Sequence, residues 1–151
     1  MKKQQKGFSL IELLIVVAII LIIAAIAIPN LLRSKMAANE ASAVGSLRTL
    51  NTSAVAYSTT YGTYPASLAA LGPSSTPSST AADLIDSVLS AGTKSGYTFT
   101  FTAGTGNLSY TITAAPSTPG VTGQRGFFTD QSGVIRGDAG GTATVTSTPI
   151  S

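Results

Sequence analysis

From Leu13 to Ile28 every residue is apolar, 16 positions without a break. Phe8, Leu10 and Ile11 extend the apolar segment to 21 residues, interrupted only by Ser9 and Glu12. At 1.5 Å rise per residue, a helix of that length spans about 30 Å, the hydrocarbon thickness of a bilayer. A core helix of a soluble domain shows a polar stripe. This run has none, so the pattern predicts a membrane segment. After Pro29 the pattern turns amphipathic: Ala37, Ala41, Val44, Leu47, Leu50, Ala54 and Tyr57 recur at three- and four-residue steps. Ala, Leu, Met, Arg, Lys and Glu dominate residues 31–50, and these favour helix. One long helix is therefore expected from Phe8 to about Tyr61. Pro29 removes a backbone donor and crowds the turn before it, so a bend is expected there. The stripe from Ala37 to Tyr57 needs a surface to pack on.

Beyond Tyr61 the period changes. Tyr61-Gly62-Thr63-Tyr64-Pro65 is a breaker cluster. Ser67 to Leu71 suits one short helical turn, and Gly72 to Ala82 is a Ser/Thr/Pro-rich stretch expected as an exposed loop. Asp83 is expected to cap a second short helix running through Leu89. Tyr97 to Thr102 alternates aromatic and Thr residues, and Leu108 to Ala114 alternates again, across the turn material Ala103-Gly104-Thr105-Gly106-Asn107. Phe127, Phe128, the Asp130-Gln131-Ser132-Gly133 turn and Val134-Ile135-Arg136 suggest a second hairpin. The expected fold is α+β: a long N-terminal helix with an antiparallel sheet of about 3–4 strands laid on its amphipathic half. The expected division is residues 1–7 as a leader, 8–28 as a membrane helix, 29–61 as the amphipathic half, 62–96 as a connecting loop with short helices, and 97–151 as sheet and tail.

Charge and composition narrow the chemistry. The net charge of +3 comes from nine basic and six acidic residues. Lys2, Lys3 and Lys6 precede the apolar segment and mark its N-terminus as the cytoplasmic end. Beyond Met36, four basic residues (Arg48, Lys94, Arg125, Arg136) face five acidic ones (Glu40, Asp83, Asp86, Asp130, Asp138). That balance predicts no direct nucleic-acid binding. The chain has no Cys and no His, so thiolate chemistry, a Ser-His-Asp triad and the commonest metal ligand are excluded. No catalytic constellation is legible. The expectation is a protein that is not an enzyme and uses no cofactor.

Glu12 stands out, because a carboxylate inside an apolar span costs about 2.5–3.5 kcal/mol on insertion scales. A positive partner in an assembled state would offset that cost. These residues also carry a resemblance. Lys6-Gly7-Phe8-Ser9-Leu10-Ile11-Glu12-Leu13-Leu14, with Ile15 to Ile20 and Ile26-Ala27-Ile28-Pro29, resembles the N-terminus of type IV pilins and type II secretion pseudopilins. The resemblance covers residues 2–36. It implies that a membrane-embedded prepilin peptidase cuts between Gly7 and Phe8 and methylates the new N-terminal amine of Phe8. It implies that Glu12 pairs with the N-terminal amine of a neighbouring subunit during assembly, and that Pro29 is the helix-kinking proline. Many pilins have a Gly inside the apolar segment; here none falls between Phe8 and Val44.

The expected function is that of a structural subunit of a type IV pilus, serving adhesion, motility or DNA uptake. The alternative is a pseudopilin acting in type II protein secretion. The partners implied are further copies in a helical filament, the prepilin peptidase, and an assembly platform in the inner membrane. The implied location is the inner membrane before assembly and the cell surface afterwards. Asp130 and Asp138, with Ser132, are weak calcium candidates, set against ordinary turns in which Asp caps its own backbone. Asn51-Thr52-Ser53 and Asn107-Leu108-Ser109 match the N-glycosylation tripeptide, which is frequent by chance. Tyr57, Tyr61 and Tyr64 at helical spacing read as core packing.

Overall fold

The computed structural model describes residues 7–150. The lysines of the expected leader, Lys2, Lys3 and Lys6, lie outside the described residues. Two compact units divide the chain, Met1–Ser34 and Lys35–Ser151. One long helix, α1 (Leu10–Tyr61), contributes to both and runs through Pro29. In the first unit the large apolar side chains of α1 are exposed, among them Leu13, Ile20 and Ile26. This helix is long and apolar enough to cross a membrane. Nothing among the described residues covers those side chains, and an apolar surface of this size suits lipid or other molecules.

In the second unit α1 forms one side of the core. It buries Ala43, Ser46, Leu47, Leu50, Ser53, Ala54 and Tyr57. The expected stripe is correct from Leu47 onward. Ala37 and Ala41 are exposed and Val44 is only half-buried, so the covered face begins later than the periodicity suggested. Alanine spacing marks a helical face without saying whether anything lies against it. The helix ends where expected. Gly62 adopts φ of 82°, and its N–H donates to the Ser58 carbonyl at 2.8 Å, an αL C-cap that glycine takes without a Cβ penalty. Leu68–Leu71 then makes the short 3₁₀ turn. The second helix, α2 (Ser87–Ser90), is capped by Asp86 and not by Asp83. Asp86 accepts from Leu89 N–H at 2.8 Å and from Lys94 Nζ at 2.9 Å. The Leu89 N–H, the Lys94 bond and the Lys94 charge hold this exposed carboxyl below its usual range. Asp83 instead sits at φ of 54° in the turn before it.

The sheet has six strands in the order β1-β2-β3-β4-β5-β6, each antiparallel to its neighbour. They are β1 (Thr93–Lys94), β2 (Tyr97–Ala103), β3 (Tyr110–Pro116), β4 (Gly126–Asp130), β5 (Arg136–Asp138) and β6 (Thr148–Pro149). The α+β class is as expected, but the sheet is larger than the 3–4 strands expected. The additional strands are short, and two residues carry no alternation to read. The first of them lies in the segment expected as connecting loop. Strand β3 starts at Tyr110 and leaves Leu108 exposed at the hairpin. Both sheet edges are blunted, one by a two-residue strand with Lys94, the other by a two-residue strand with Pro149. Short edges of this kind resist edge-to-edge pairing.

Tyr97, Phe99, Tyr110, Ile112, Ala114 and Phe127 face the helix in one core with Leu47, Leu50 and Ala54. Fully burying one Leu or Phe side chain contributes roughly 1.5–3 kcal/mol. Strand β4 is buried on both faces, because Phe128, next to Phe127, packs on the outer face under the C-terminal strap that includes Ala143. That strap crosses the sheet so closely that a Cβ on Gly126 would collide with the Gly141 carbonyl, which is backbone and cannot rotate away. We expect Gly126→Ala to destabilise this unit by about 3 kcal/mol and lower its melting temperature by about 10 °C or more. Circular dichroism melts of the full chain in detergent, followed at a sheet-sensitive wavelength, check this; an unchanged melt would show that the strap yields freely.

Candidate assembly site at the start of the long helix

Three features of the sequence converge on residues 7–12. Gly7, Phe8 and Ser9 precede the helix in non-helical conformation. Phe8 is 76% exposed. Among the described residues a Cβ built on Gly7 would meet nothing within 4 Å, so none of their packing requires glycine there. Ser9 is the N-cap of α1. Its carbonyl accepts from Leu13 N–H at 3.2 Å, and its hydroxyl accepts from Ile11 N–H at 3.3 Å. Glu12 reaches back, and its Oε2 accepts from Ser9 N–H at 2.9 Å. This is a capping box, Ser-x-x-Glu, in which side chains at the N-cap and three residues on satisfy backbone donors left over at the helix start. The helix dipole also favours a carboxylate in the first turn.

The capping role of Glu12 went unread in the sequence, although the Ser9-to-Glu12 spacing ahead of an apolar run carries the signal. It changes the energetics of the charge. A glutamate at the first turn is not stranded among hydrocarbon; it already has one donor and a favourable dipole. Oε2 alone is engaged among the described residues, which leaves Oε1 for a second partner. The N–H that Glu12 grips belongs to the residue immediately after Phe8. Pro29 lies inside α1, where its ring leaves the carbonyl four residues earlier without its usual donor.

The remaining candidates lie in the second unit and are not brought together. Asp130 Oδ1 accepts from Ser132 N–H at 2.9 Å, and Asp138 Oδ1 accepts from Gly140 N–H at 2.7 Å. Each thus caps its own turn. Asp138 pairs with Gly126 at one end of β4, while Asp130 is at the other end. Four residues of strand separate them by roughly 13 Å, too far for one cation. Among the described residues no group of three or more His, Cys, Asp or Glu could hold a metal ion. Asn51 is engaged on both sides of its amide: it donates to Thr129 Oγ1 at 2.8 Å and accepts from the Tyr110 hydroxyl at 3.0 Å. A sugar on that nitrogen would break the pair. Tyr57 and Tyr61 pack at 4.6 Å between ring centroids, and Tyr64 meets Tyr110 edge-on at 4.8 Å. The three tyrosines therefore serve packing, as expected.

Sequence reasoning also missed Asn39 and Glu40. The Asn39 amide donates to the Thr122 carbonyl at 2.7 Å, and Glu40 Oε1 accepts from both Gln124 and Arg125 N–H at 3.1 Å. Together they clamp the β3–β4 connection onto the helix. No local pattern announces a contact across more than 80 residues of chain. Tyr97 closes the same corner, its hydroxyl donating to the Arg125 carbonyl at 2.7 Å.

Burial, followed by the Glu40 charge, pushes the Tyr97 phenol up to about 12, and burial does the same to Tyr110, helped by Tyr64 and Asp130. Raised phenols favour the protonated, folded form. Their contribution to stability is complete below the ordinary tyrosine value of about 10 and is lost as pH rises from there toward 12. We therefore expect the melting temperature to fall steeply over that alkaline interval. It should fall less in Tyr97→Phe compared with its own value at neutral pH, a difference that melts across the interval measure.

The prokaryotic N-terminal methylation motif matches residues 2–28. The segment that holds the Gly7–Phe8 junction, the capping box and the start of the apolar helix is therefore the part of the chain that carries this motif. The chain is also 60% identical over 38 residues to the type IV wide pilus major component PilA4 of Thermus thermophilus. That stretch covers 25% of this chain and 29% of the Thermus protein. No solved structure matches the chain.

Proposed function

We propose that this chain is the structural subunit of a type IV pilus. The observation that carries the reading is the N-terminal methylation motif at the head of an apolar helix that the described residues leave uncovered. Such a helix suits two successive environments, first the bilayer and then the interior of a filament. In this reading residues 1–7 are removed between Gly7 and Phe8, and Phe8 is methylated. Residues 8–28 hold the precursor in the inner membrane and then pack against the same segment of neighbours. Pro29 gives the helix a place to bend, and residues 62–151 form the head that coats the filament. Glu12 keeps its own cap through Oε2 and offers Oε1 to the N-terminal amine of a neighbour. The similarity to a pilus major component over 38 residues supports the pilus reading, and a pseudopilin of type II secretion is the alternative.

Deleting residues 1–35 tests the division of labour. The second unit contains its own core, so we expect a soluble, monomeric head that forms no filaments. Sedimentation and electron microscopy of the truncated chain decide it. Native-like filaments from the truncated chain would show that the apolar helix is not the assembly element.

A further inference from the structure

Residues 73–80 read Pro-Ser-Ser-Thr twice in tandem, Pro73 to Thr76 and Pro77 to Thr80. A Ser/Thr-rich stretch with Pro is the composition of segments that carry O-linked sugar. The structure shows how its hydroxyls are used. From Ser75 to Thr80 every residue is exposed. The loop is nonetheless tied down. The Tyr57 hydroxyl donates to the Ser79 carbonyl at 2.6 Å, and Ser78 and Ala81 exchange backbone bonds at 3.0 and 3.1 Å. Ser74 N–H donates to Asp83 Oδ1 at 3.4 Å.

The two copies are built alike. In each, the first serine closes a turn on the threonine two residues on. Ser74 Oγ accepts from Thr76 N–H at 3.2 Å, and Ser78 Oγ accepts from Thr80 N–H at 3.4 Å. Ser74 Oγ also donates to the Thr76 carbonyl at 2.9 Å, and Ser78 Oγ pairs with Thr80 Oγ1 at 3.0 Å. The second serine, Ser75 or Ser79, lies inside the turn, and its hydroxyl bonds nothing among the described residues. Other loops of the second unit spend such hydroxyls on the chain. Ser132 Oγ accepts from Val134 N–H, Thr122 Oγ1 donates to the Thr118 carbonyl, and Ser147 Oγ accepts from Thr144 N–H. Replacing the hydroxyl hydrogen of Ser75 or Ser79 therefore breaks no bond, whereas at Ser74 it removes a donor that holds the turn. The Thr76 hydroxyl is free too, but it stands beside the Pro77 ring, which crowds the residue before it. The carboxylate that bonds this loop is Asp83. It would repel a phosphate and is indifferent to an uncharged sugar.

We propose that the Ser75 and Ser79 hydroxyls are sites of O-linked glycosylation by an uncharged saccharide. In that transfer the serine Oγ attacks the anomeric carbon of a glycosyl diphosphate donor. The Oγ–carbon bond forms and the bond from that carbon to the diphosphate oxygen breaks. The diphosphate leaves with the electron pair, and the hydroxyl proton passes to a base of the transferase. Nothing is oxidised or reduced. The site lies in the second unit and does not depend on the filament reading. The test uses the full chain isolated from the cells that encode it and digested with trypsin. Peptide 49–94 then holds the whole loop and has no internal Lys or Arg. Its mass should exceed the sequence value by saccharide increments, and electron-transfer fragmentation should place them on Ser75 and Ser79. Ser75→Ala should lose its increment, and Ser75→Ala/Ser79→Ala should lose all of them while the chain keeps its melting temperature. A peptide at its bare sequence mass would overturn the proposal. So would increments on Ser74 or Ser78, or a phosphate in place of the saccharide.

Discussion

Replacing Glu12 by Leu is expected to leave cleavage and membrane insertion intact while reducing surface filaments by about 100-fold. Two roles for this carboxylate have to be separated. The capping box gives it a local role: Oε2 satisfies Ser9 N–H at the start of α1. Losing a cap costs about 1 kcal/mol, which a helix of 52 residues tolerates at its frayed end. The assembly role is larger. In a filament interior the carboxylate and a neighbour's amine would attract strongly at low dielectric. A subunit one step out of register would bury both charges without partners. Removing one member of such a pair strands the other, at about 3–5 kcal/mol. Glu12→Gln separates the two, because its amide oxygen can still accept from Ser9 N–H but carries no charge. If register depends on charge, Gln is as defective as Leu, and Glu12→Asp, which keeps charge on a shorter arm, is intermediate. The measurement is the yield of sheared filaments beside the membrane pool of cleaved subunit. Normal yield from the Gln variant would reduce Glu12 to a helix cap.

Gly7→Val is expected to abolish removal of the leader, so that nearly all of the chain keeps residues 1–7 and no filament forms. The structure makes this substitution unusually clean. Among the described residues a Cβ at position 7 meets nothing, and the position is exposed and outside the helix. Folding, capping and the head should therefore be unaffected, and any loss of processing belongs to the peptidase's approach to the scissile bond. A glycine with no side chain lets an extended backbone lie close against an enzyme surface. The uncut leader also leaves Phe8 without a free amine, so Glu12 loses its proposed partner. Intact-mass measurement of membrane and filament fractions reads both effects. A Gly7→Val chain cut to begin at Phe8 would place the recognition elsewhere in the motif.

The two halves of the chain were not equally legible. The apolar run, the helix through Pro29, the stop at Gly62 and the β2–β3 hairpin were all readable locally. Each depends on periodicity or on one residue's backbone preference, and such preferences act over a few residues. Tyr97 and Phe99 alternate with Thr whatever lies against them. The Gly7-Phe8-Ser9-Leu10-Ile11-Glu12 segment was legible for the same reason, since its elements are contiguous. Within it the cap formed by Ser9 and Glu12 is equally local, since its Ser-x-x-Glu spacing lies within one helical turn.

Other features required the tertiary structure. Which part of the stripe is covered could not be read from Ala37 and Ala41, because burial is decided by where the sheet and loops end along the helix. The two-residue strands β1 and β6 exist only because a neighbouring strand offers free backbone groups. Asp86 takes the cap in place of Asp83 because the 3₁₀ turn at Leu68–Leu71 fixes the chain before it: the Leu71 carbonyl accepts from Leu84 and Ile85 N–H. Asn39, Glu40 and Asn51 look like ordinary solvated helix residues, yet each bonds backbone or side chains far along the chain. The sequence by itself determined the long apolar helix, the methylation motif at its head and the α+β order of elements, since those follow from short-range pattern. Only the tertiary structure decided the clamp of Asn39 and Glu40 on the β3–β4 connection, the separation of Asp130 from Asp138 and the strap over Phe128. These depend on which distant segments share a face, and short-range pattern does not specify that.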